Sequence, residues 1–420
     1  MDHALLSPSG AYQRKLCPAS LAAQFGKPRS SSQYAAEGTV AHEVAALCFQ
    51  EKLPASAFIG RTFNTDGFEF EVDDDMAGYV QTYVDSVKAH ARGGAIYTEV
   101  RVNHASFLDV PEEEAWGTSD NVVLVDSEIQ VHDLKFGRGV AVSPVGNEQA
   151  ISYALGTLNF VAKVLGDYED YEKIRVFIHQ VRNDPQPAEW EIDIKELLDV
   201  YLPELRESEQ QARRIYVQQV EEGIAPNASD FGPDEDACKF CAAKPCAAMT
   251  KKVSDIVFND FDVLDTKDAA AVPSVPPADG AKLARQLASV ELVRQWADAV
   301  EAHGEAELHK GHPVPGYKLV QGKRGNRAWA DKETAEATLK SMRLKQDQMY
   351  SFTLITPTAA EKFVKAGDLS DRQWKKLEAM IVQKDGSPTV VKDSDKRPAI
   401  VVTPVSDDFD NLSDPMSDLA

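Results

Sequence analysis

The chain has 420 residues, room for two or three domains, and its 43% hydrophobic and 27% charged residues are ordinary for a globular protein in water. No apolar run approaches the roughly 18 residues of a membrane span, and the opening MDHALLSPSGAYQRK has no basic stretch leading into an apolar one. Neither a membrane anchor nor a secretory signal is expected, which makes the cytoplasm the expected compartment. A net charge of −22, from 45 Lys+Arg against 67 Asp+Glu, excludes passive coating of nucleic acid, but not an enzyme that grips DNA through local basic strips.

In chain order, Leu5 to Cys17 leads in as helix, a Ser/Pro-rich turn follows at Pro28 to Ser32, and Gly38 to Leu47 is again helical in period. Asp74 to Ala91 carries Met76, Val80, Tyr83, Val84 and Val87 at the spacing of one helix face. Strands are expected at Ile96 to Val102, Asn121 to Val125 and Glu128 to Phe136, the last two forming a hairpin about Asp126 and Ser127. A helix at Glu148 to Leu165, a strand at Ile174 to Val181 and a long helix at Ile194 to Val220 complete an α/β pattern: a mixed central sheet flanked by helices, over residues 1–262. Residues 263–280, rich in Ala, Pro and Asp, read as a linker. A helix from Ala281 to Lys310 and a smaller α/β segment fill 281–403, with helices at Lys332 to Met342 and Pro357 to Lys365. The acidic end, 404–420, reads as a disordered, solubilising tail.

Two stretches are basic and free of acids. One is 238–252, with Lys239, Lys244, Lys251 and Lys252; the other is 311–330, with Lys318, Lys323, Arg324 and Arg327. Solvated loop charge competes with a phosphate-binding role for both. In the hairpin-like element from Gly316 to Trp329, the aromatics Tyr317 and Trp329 suit either a small core or stacking on bases.

The chemistry concentrates in Ile129-Gln130-Val131-His132-Asp133-Leu134-Lys135, where strand alternation puts Asp133 and Lys135 on one face and Leu134 on the other. Asp120 opens the neighbouring strand, so pairing brings two carboxylates together. They repel unless a divalent cation neutralises them, and hard oxygen ligands suit Mg²⁺ or Mn²⁺. Lys135 beside them can orient the attacking water or stabilise charge growing on a phosphate. An Asp-x-Lys triplet alone is most simply a salt-bridged surface hairpin; its company is what matters. Upstream lies Glu37-Gly38-Thr39-Val40-Ala41-His42 on a helix, and downstream Gln149 and Tyr153 share a helix face at i, i+4. His104 and His132 are assigned no role beyond packing.

Five cysteines are an odd count, and Cys238-Lys239-Phe240-Cys241 followed by Cys246 is a tight three-thiolate group that points to ligation rather than disulfides. A fourth ligand must come from Cys17 or Cys48. Cys48 follows Val44, Ala45 and Leu47 in an apolar helical stretch and reads as core, whereas Cys17 precedes Pro18 and a loop. On chemistry alone four thiolates suit either Zn²⁺ or an iron–sulfur cluster.

The series Gly-x-x-x-His (Gly38, His42), Gly-x-x-Asp (Gly117, Asp120), Asp-x-Lys (Asp133, Lys135) and Gln-x-x-x-Tyr (Gln149, Tyr153) resembles that of RecB-like nucleases of the PD-(D/E)XK superfamily, across most of residues 1–250. Leu6-Ser7-Pro8-Ser9, Ala36-Glu37-Gly38-Thr39 and Ser394-Asp395-Lys396-Arg397-Pro398 are similar to a phage- and prophage-encoded branch. The resemblance implies a restriction-endonuclease-like core, with His42, Asp120 and Asp133 ligating the metal together with the Leu134 carbonyl. It also implies a catalytic Lys135, and Gln149 and Tyr153 contacting substrate. Ser119 stands where the superfamily's proline would be, and Asp133 where Glu is commoner. One cysteine before the nuclease motifs and three after them resembles the iron staple of such enzymes, implying a [4Fe–4S] cluster on Cys17, Cys238, Cys241 and Cys246; the gap before Cys246 is shorter than that layout leads one to expect. The implied activity is a DNA exonuclease or end-processing nuclease of phage recombination or replication. Its partners would be linear or single-stranded DNA ends and a phage recombination or single-strand-binding protein, in the bacterial host cytoplasm and with no membrane. The competing readings are a non-cleaving DNA-end-binding scaffold and a zinc-stapled structural protein.

Overall fold

The structure, a computed structural model, describes residues 4–28, 32–139, 141–259, 280–318, 320, 332–341, 356–365, 367 and 369–381. Two compact units divide the chain, Met1–Val320 and Gln321–Ala420.

The first unit begins with short helices α1 (Ala11–Leu16) and α2 (Ser20–Ala23), then α3 (Gln33–Gln50), a hairpin of β1 (Thr62–Thr65) and β2 (Phe68–Glu71), and α4 (Asp74–Ala91). Helix α3 starts five residues before the expected Gly38 because the Ser32 side chain accepts from Ala35 N and caps it. Asp73 caps α4 in the same way, on Met76 N at 2.7 Å. A five-stranded mixed sheet follows, built from β3 (Ala95–Asn103), β4 (Trp116–Val125), β5 (Glu128–Leu134), β6 (Lys173–His179) and β7 (Ala188–Asp193), in spatial order β3-β4-β5-β6-β7. Between β3 and β4 lies the short α5 (Ala105–Leu108). All neighbours are antiparallel except β5 and β6, which run parallel and are joined by α6 (Glu148–Leu165), as a parallel pair requires a crossover.

Alternation along the strands splits the core into two layers. Val122, Val131, Ile174 and Val176 pack with Leu155 and Leu158 of α6 on one face. Val123 and Leu134 pack with Val44 of α3 and Val80, Tyr83 and Val84 of α4 on the other. Sequence periodicity predicts both layers. It also predicts a single helix from Ile194 to Val220, and the structure has α7 (Ile194–Glu196) and α8 (Leu202–Val220) linked through a π-helical segment, Leu197–Tyr201. Helices α1 and α2 dock on α8, and α9 (Glu235–Lys239), α10 (Ala247–Asn259) and α11 (Gly280–His309) pack together. Helix α11, grouped in the sequence with the C-terminal part, thus packs within the first unit. In the second unit the described residues form helices Lys332–Ser341, Pro357–Lys365 and Asp371–Glu378 and no strand. The proposed linker, most of the Gly316–Trp329 element and the acidic tail lie outside the described residues. Among the described residues no helix is long and apolar enough to cross a membrane.

Among the described residues three histidines are fully or almost fully buried: His104, His132 and His179. His132 Nε2 lies 3.0 Å from Gln130 Oε1, so it donates there; its Nδ1 then accepts from His179 Nε2 at 3.0 Å, and His179 Nδ1 is left buried without a partner. Burial, the leading cause, holds all three neutral, His104 and His179 down to about 3 and His132 well below its usual range, with Arg14 beside His104 adding to it. Below about pH 6.5 the unfolded chain takes up protons that the folded chain refuses, so stability falls as pH drops from there toward 3, by about 1.4 kcal/mol per pH unit for each histidine. We expect the urea midpoint to fall steeply between about pH 7 and pH 5, and His104→Leu to make that fall shallower. An unchanged slope in the variant would show that His104 is not held neutral.

Candidate active site

Strands β4 and β5 pair Asn121 with His132 and Val122 with Val131, so Asp120 and Asp133 continue that register on the α6 side of the sheet. The Leu134 amide donates to Asp120 Oδ2 at 2.6 Å, which pins the carboxylate across the strand pair. From α3, His42 Nδ1 reaches Asp120 Oδ1 at 3.0 Å. Lys135 Nζ lies 3.0 Å from Asp133 Oδ2 and donates to Oδ1 at 3.3 Å and to Gln149 Oε1 at 3.1 Å. Gln149 stands in the first turn of α6 because Asn147 caps that helix, accepting from Gln149 N and Ala150 N. Tyr153, one turn on, packs beside Gly117: a Cβ there would meet Pro8 Cδ at 2.8 Å and Tyr153 Cε1 at 3.0 Å. The glycine of Gly-x-x-Asp is therefore the point where the N-terminal Leu-Ser-Pro-Ser segment, β4 and α6 close on one another.

His42, Asp120, Asp133, Lys135, Gln149 and Tyr153 are thus gathered; the Leu134 amide bonds Asp120, while the Leu134 side chain is buried in the opposite core layer. The charges are interdependent. Burial works against a charged His42, but Asp120 and then Asp133 outweigh it and raise its pKa to about 9. Burial likewise opposes ionisation of Asp120, yet His42, the Leu134 amide and Lys135 together hold its pKa below the ordinary carboxylate value. Asp133 goes the other way: burial, aided by Asp120, exceeds the help of Lys135 and raises it. Burial opposes charge on Lys135 too, but Asp133 and then Asp120 raise its pKa and keep it protonated. Burial, then Asp133 and Asp120, raise the Tyr153 phenol, so that it is an un-ionised hydrogen-bonding group.

Glu99 was not anticipated. It lies on β3 between Thr98 and Val100, which pair with Asn121 and Ser119 on either side of Asp120. Its backbone has φ 52°, the left-handed region, unusual within a strand. Partial shielding of its carboxyl, and then Asp120, raise its pKa to about 7. An acid on an edge strand carries no sequence signal that sets it apart from ordinary solvent-facing charge.

Two carboxylates and one imidazole are a donor set suited to Mg²⁺ or Mn²⁺. Asp133 Oδ2 is buried with no hydrogen bond, its contact with Lys135 being an ion pair out of hydrogen-bond alignment, so a strong acceptor there remains to be filled. Among the described residues no three His, Cys, Asp or Glu side chains already form a ligating group. In this arrangement His42 and Lys135 neutralise the two carboxylates directly.

The cysteine-bearing segment packs against the N-terminal helices. Cys48 is buried in the α3–α4 core layer, as its apolar neighbours predict. Cys17 ends α1, and Gln13 Nε2 donates to Ala237 O at 2.7 Å, Ala19 N to Asp230 O at 2.9 Å and Ala242 N to Gln24 Oε1 at 3.0 Å. Gly232 sits so close to this turn that a Cβ would lie 1.9 Å from Leu16 O. Cys17 is thereby held near enough to Cys241 and Cys246 for their charges to raise its pKa, after burial, the leading cause. Burial first, then the other three thiols, push Cys238 up to about 12. Met249 N, in the first turn of α10, donates to Cys246 Sγ at 3.4 Å. Cys17, Cys238, Cys241 and Cys246 are all free thiols in this one region, Cys238 nearly inaccessible to water, and among the described residues they are not drawn into a ligating group.

By fold and site this is a mixed α/β protein in which a histidine, two aspartates and a lysine converge at the end of a five-stranded sheet. The chain belongs to the family described as "Protein of unknown function (DUF2800)", whose pattern matches residues 3–398. No solved structure matches it.

Proposed function

We propose that the protein is a metal-dependent DNA nuclease of the RecB-like kind within the PD-(D/E)XK superfamily, an exonuclease or end-processing enzyme of phage recombination or replication. The observation that carries this reading is the convergence of Asp120, Asp133 and Lys135 from one hairpin with His42 from a helix 78 positions before Asp120. A strand pair carrying the acids, followed by a helix crossover that presents Gln149 and Tyr153, is consistent with a restriction-endonuclease-like core. His42, Asp120 and Asp133 would hold Mg²⁺ or Mn²⁺, with the Leu134 carbonyl as a further ligand. When bound, that ion lowers the pKa of a coordinated water and polarises a phosphoryl oxygen. Lys135, held between Asp133 and Gln149, presents its ammonium group where charge grows on the phosphate. Tyr153, un-ionised, offers a hydroxyl donor beside it.

End-labelled linear DNA, single- and double-stranded, tests the reading. Wild type should shorten it with Mg²⁺ or Mn²⁺ and not with chelator, and Asp120→Asn should lower the rate by about 10²- to 10³-fold. DNA left intact by wild type with both metals sinks the nuclease reading.

The four thiols support an iron–sulfur staple joining Cys17 to Cys238, Cys241 and Cys246. Protein purified without oxygen should be brown, and Cys17→Ala or Cys241→Ala should bleach it and lower the melting temperature, since ligation contributes directly to folding. Colourless wild type containing one zinc per chain would replace the cluster with Zn²⁺.

A further inference from the structure

Arg182 lies just beyond β6, where the sheet meets the candidate site. Lys135 N donates to His179 O at 2.8 Å, extending the β5–β6 ladder past the catalytic lysine. Phe136, which follows Lys135 and is buried in the α3–α4 layer, lies under the guanidinium, with Arg182 Cζ 5.0 Å from its ring centre, and the Tyr79 ring lies 5.9 Å away. Arg182 Nη1 donates to Glu37 Oε1 at 3.0 Å, and Glu37 belongs to α3, the helix that carries His42. Arg182 therefore bridges the two elements that bring Lys135 and His42 together.

The guanidinium is poorly satisfied for its position. Its side chain is 17% exposed, and Nε is buried with no acceptor. An unfilled buried donor is unfavourable, and a purely structural ion pair has no reason to retain one. Aromatic faces fix the plane of a guanidinium and leave its edge for in-plane hydrogen bonds, an arrangement matched to phosphate oxygens. The segment that carries it is anchored, since Asn183 Nδ2 donates to Gly139 O and Val142 N donates to Gln180 Oε1 across the loop leaving β5.

We propose that Arg182 binds a backbone phosphate of the DNA strand lying in the site, and that Glu37 holds the guanidinium in place until the phosphate displaces it. The inference rests on the nuclease reading and adds to it a residue for the substrate's backbone. It makes opposite predictions for the two partners. Removing the arginine loses a phosphate contact, whereas removing the Glu37 charge frees the guanidinium for DNA.

The test measures binding of a fluorescein-labelled linear duplex and the matching single strand to the full-length protein by anisotropy, in Ca²⁺ across a salt series, with cleavage assayed separately in Mg²⁺ or Mn²⁺. Arg182→Gln should weaken binding about tenfold and lower the slope of log affinity against log salt by about one, and Glu37→Gln should tighten binding a few-fold. If both variants weaken binding equally and both lower the melting temperature, the pair is a clamp between α3 and β6 and the proposal fails. It fails equally if both bind as wild type while wild type still cuts DNA. A wild type that neither binds nor cuts DNA removes the nuclease reading itself, a different result from either.

Discussion

Replacing Lys135 with alanine is expected to lower the single-turnover rate of DNA cleavage by about 10³-fold while leaving DNA affinity within a few-fold of wild type. The ammonium group sits between Asp133 and Gln149, partly exposed, and its charge is sustained by both aspartates. In the proposed reaction a group so placed would act on charge that appears only as the phosphodiester bond breaks, so its loss should fall on the rate rather than on binding. Lys135→Arg should rescue little, because a planar guanidinium cannot place a single point charge between Asp133 Oδ1 and Gln149 Oε1. Melting curves at the assay pH guard against loss of fold. Activity within tenfold of wild type in folded Lys135→Ala would remove the lysine from the reaction.

The largest loss of stability is expected at Glu209. Its carboxylate accepts from Arg14 Nε at 2.6 Å and Nη2 at 2.8 Å, and both side chains are almost wholly buried. Arg14 Nη2 also donates to Ser7 O, so the pair ties the N-terminal turn to α8. Glu209→Ala leaves a guanidinium buried without its counter-charge and should lower the unfolding free energy by about 3–5 kcal/mol in urea titrations. The double replacement Arg14→Met with Glu209→Leu should recover most of that loss, because the desolvation cost disappears with both charges. A single Glu209→Ala costing under about 1 kcal/mol would mean that water reaches the site and solvates Arg14.

Local rules carried the reading of the sheet centre. The β4–β5 hairpin follows from two apolar, β-branched runs separated by the turn-like pair Asp126 and Ser127, of which Asp126 takes φ 52°. The inward face of α4 follows from its spacing, and the convergence of Asp120 with Asp133 needs only the hairpin register. Strand β7 carries a signal that the expected elements omit: Ala188–Asp193 alternates Trp190 and Ile192 inward with Glu189 and Glu191 outward. Other features depend on partners distant in sequence. The Arg14–Glu209 pair joins residues 195 positions apart, and the Arg182–Glu37 pair 145. The left-handed backbone at Glu99 belongs to the packing of β3 on β4 and leaves no mark in composition or period.

The docking of α1 and α2 on α8 and on the cysteine-bearing turn also bears on how the protein is made. The first helices leave the ribosome without the surfaces they rest on, and Gln24 finds Ala242 only 218 residues later. At about 5–20 residues per second that wait is roughly ten to forty seconds. During it α1 and Cys17 lack the surfaces they rest on, so under the proposed staple the ion or cluster would join only after the second half of this unit has been translated.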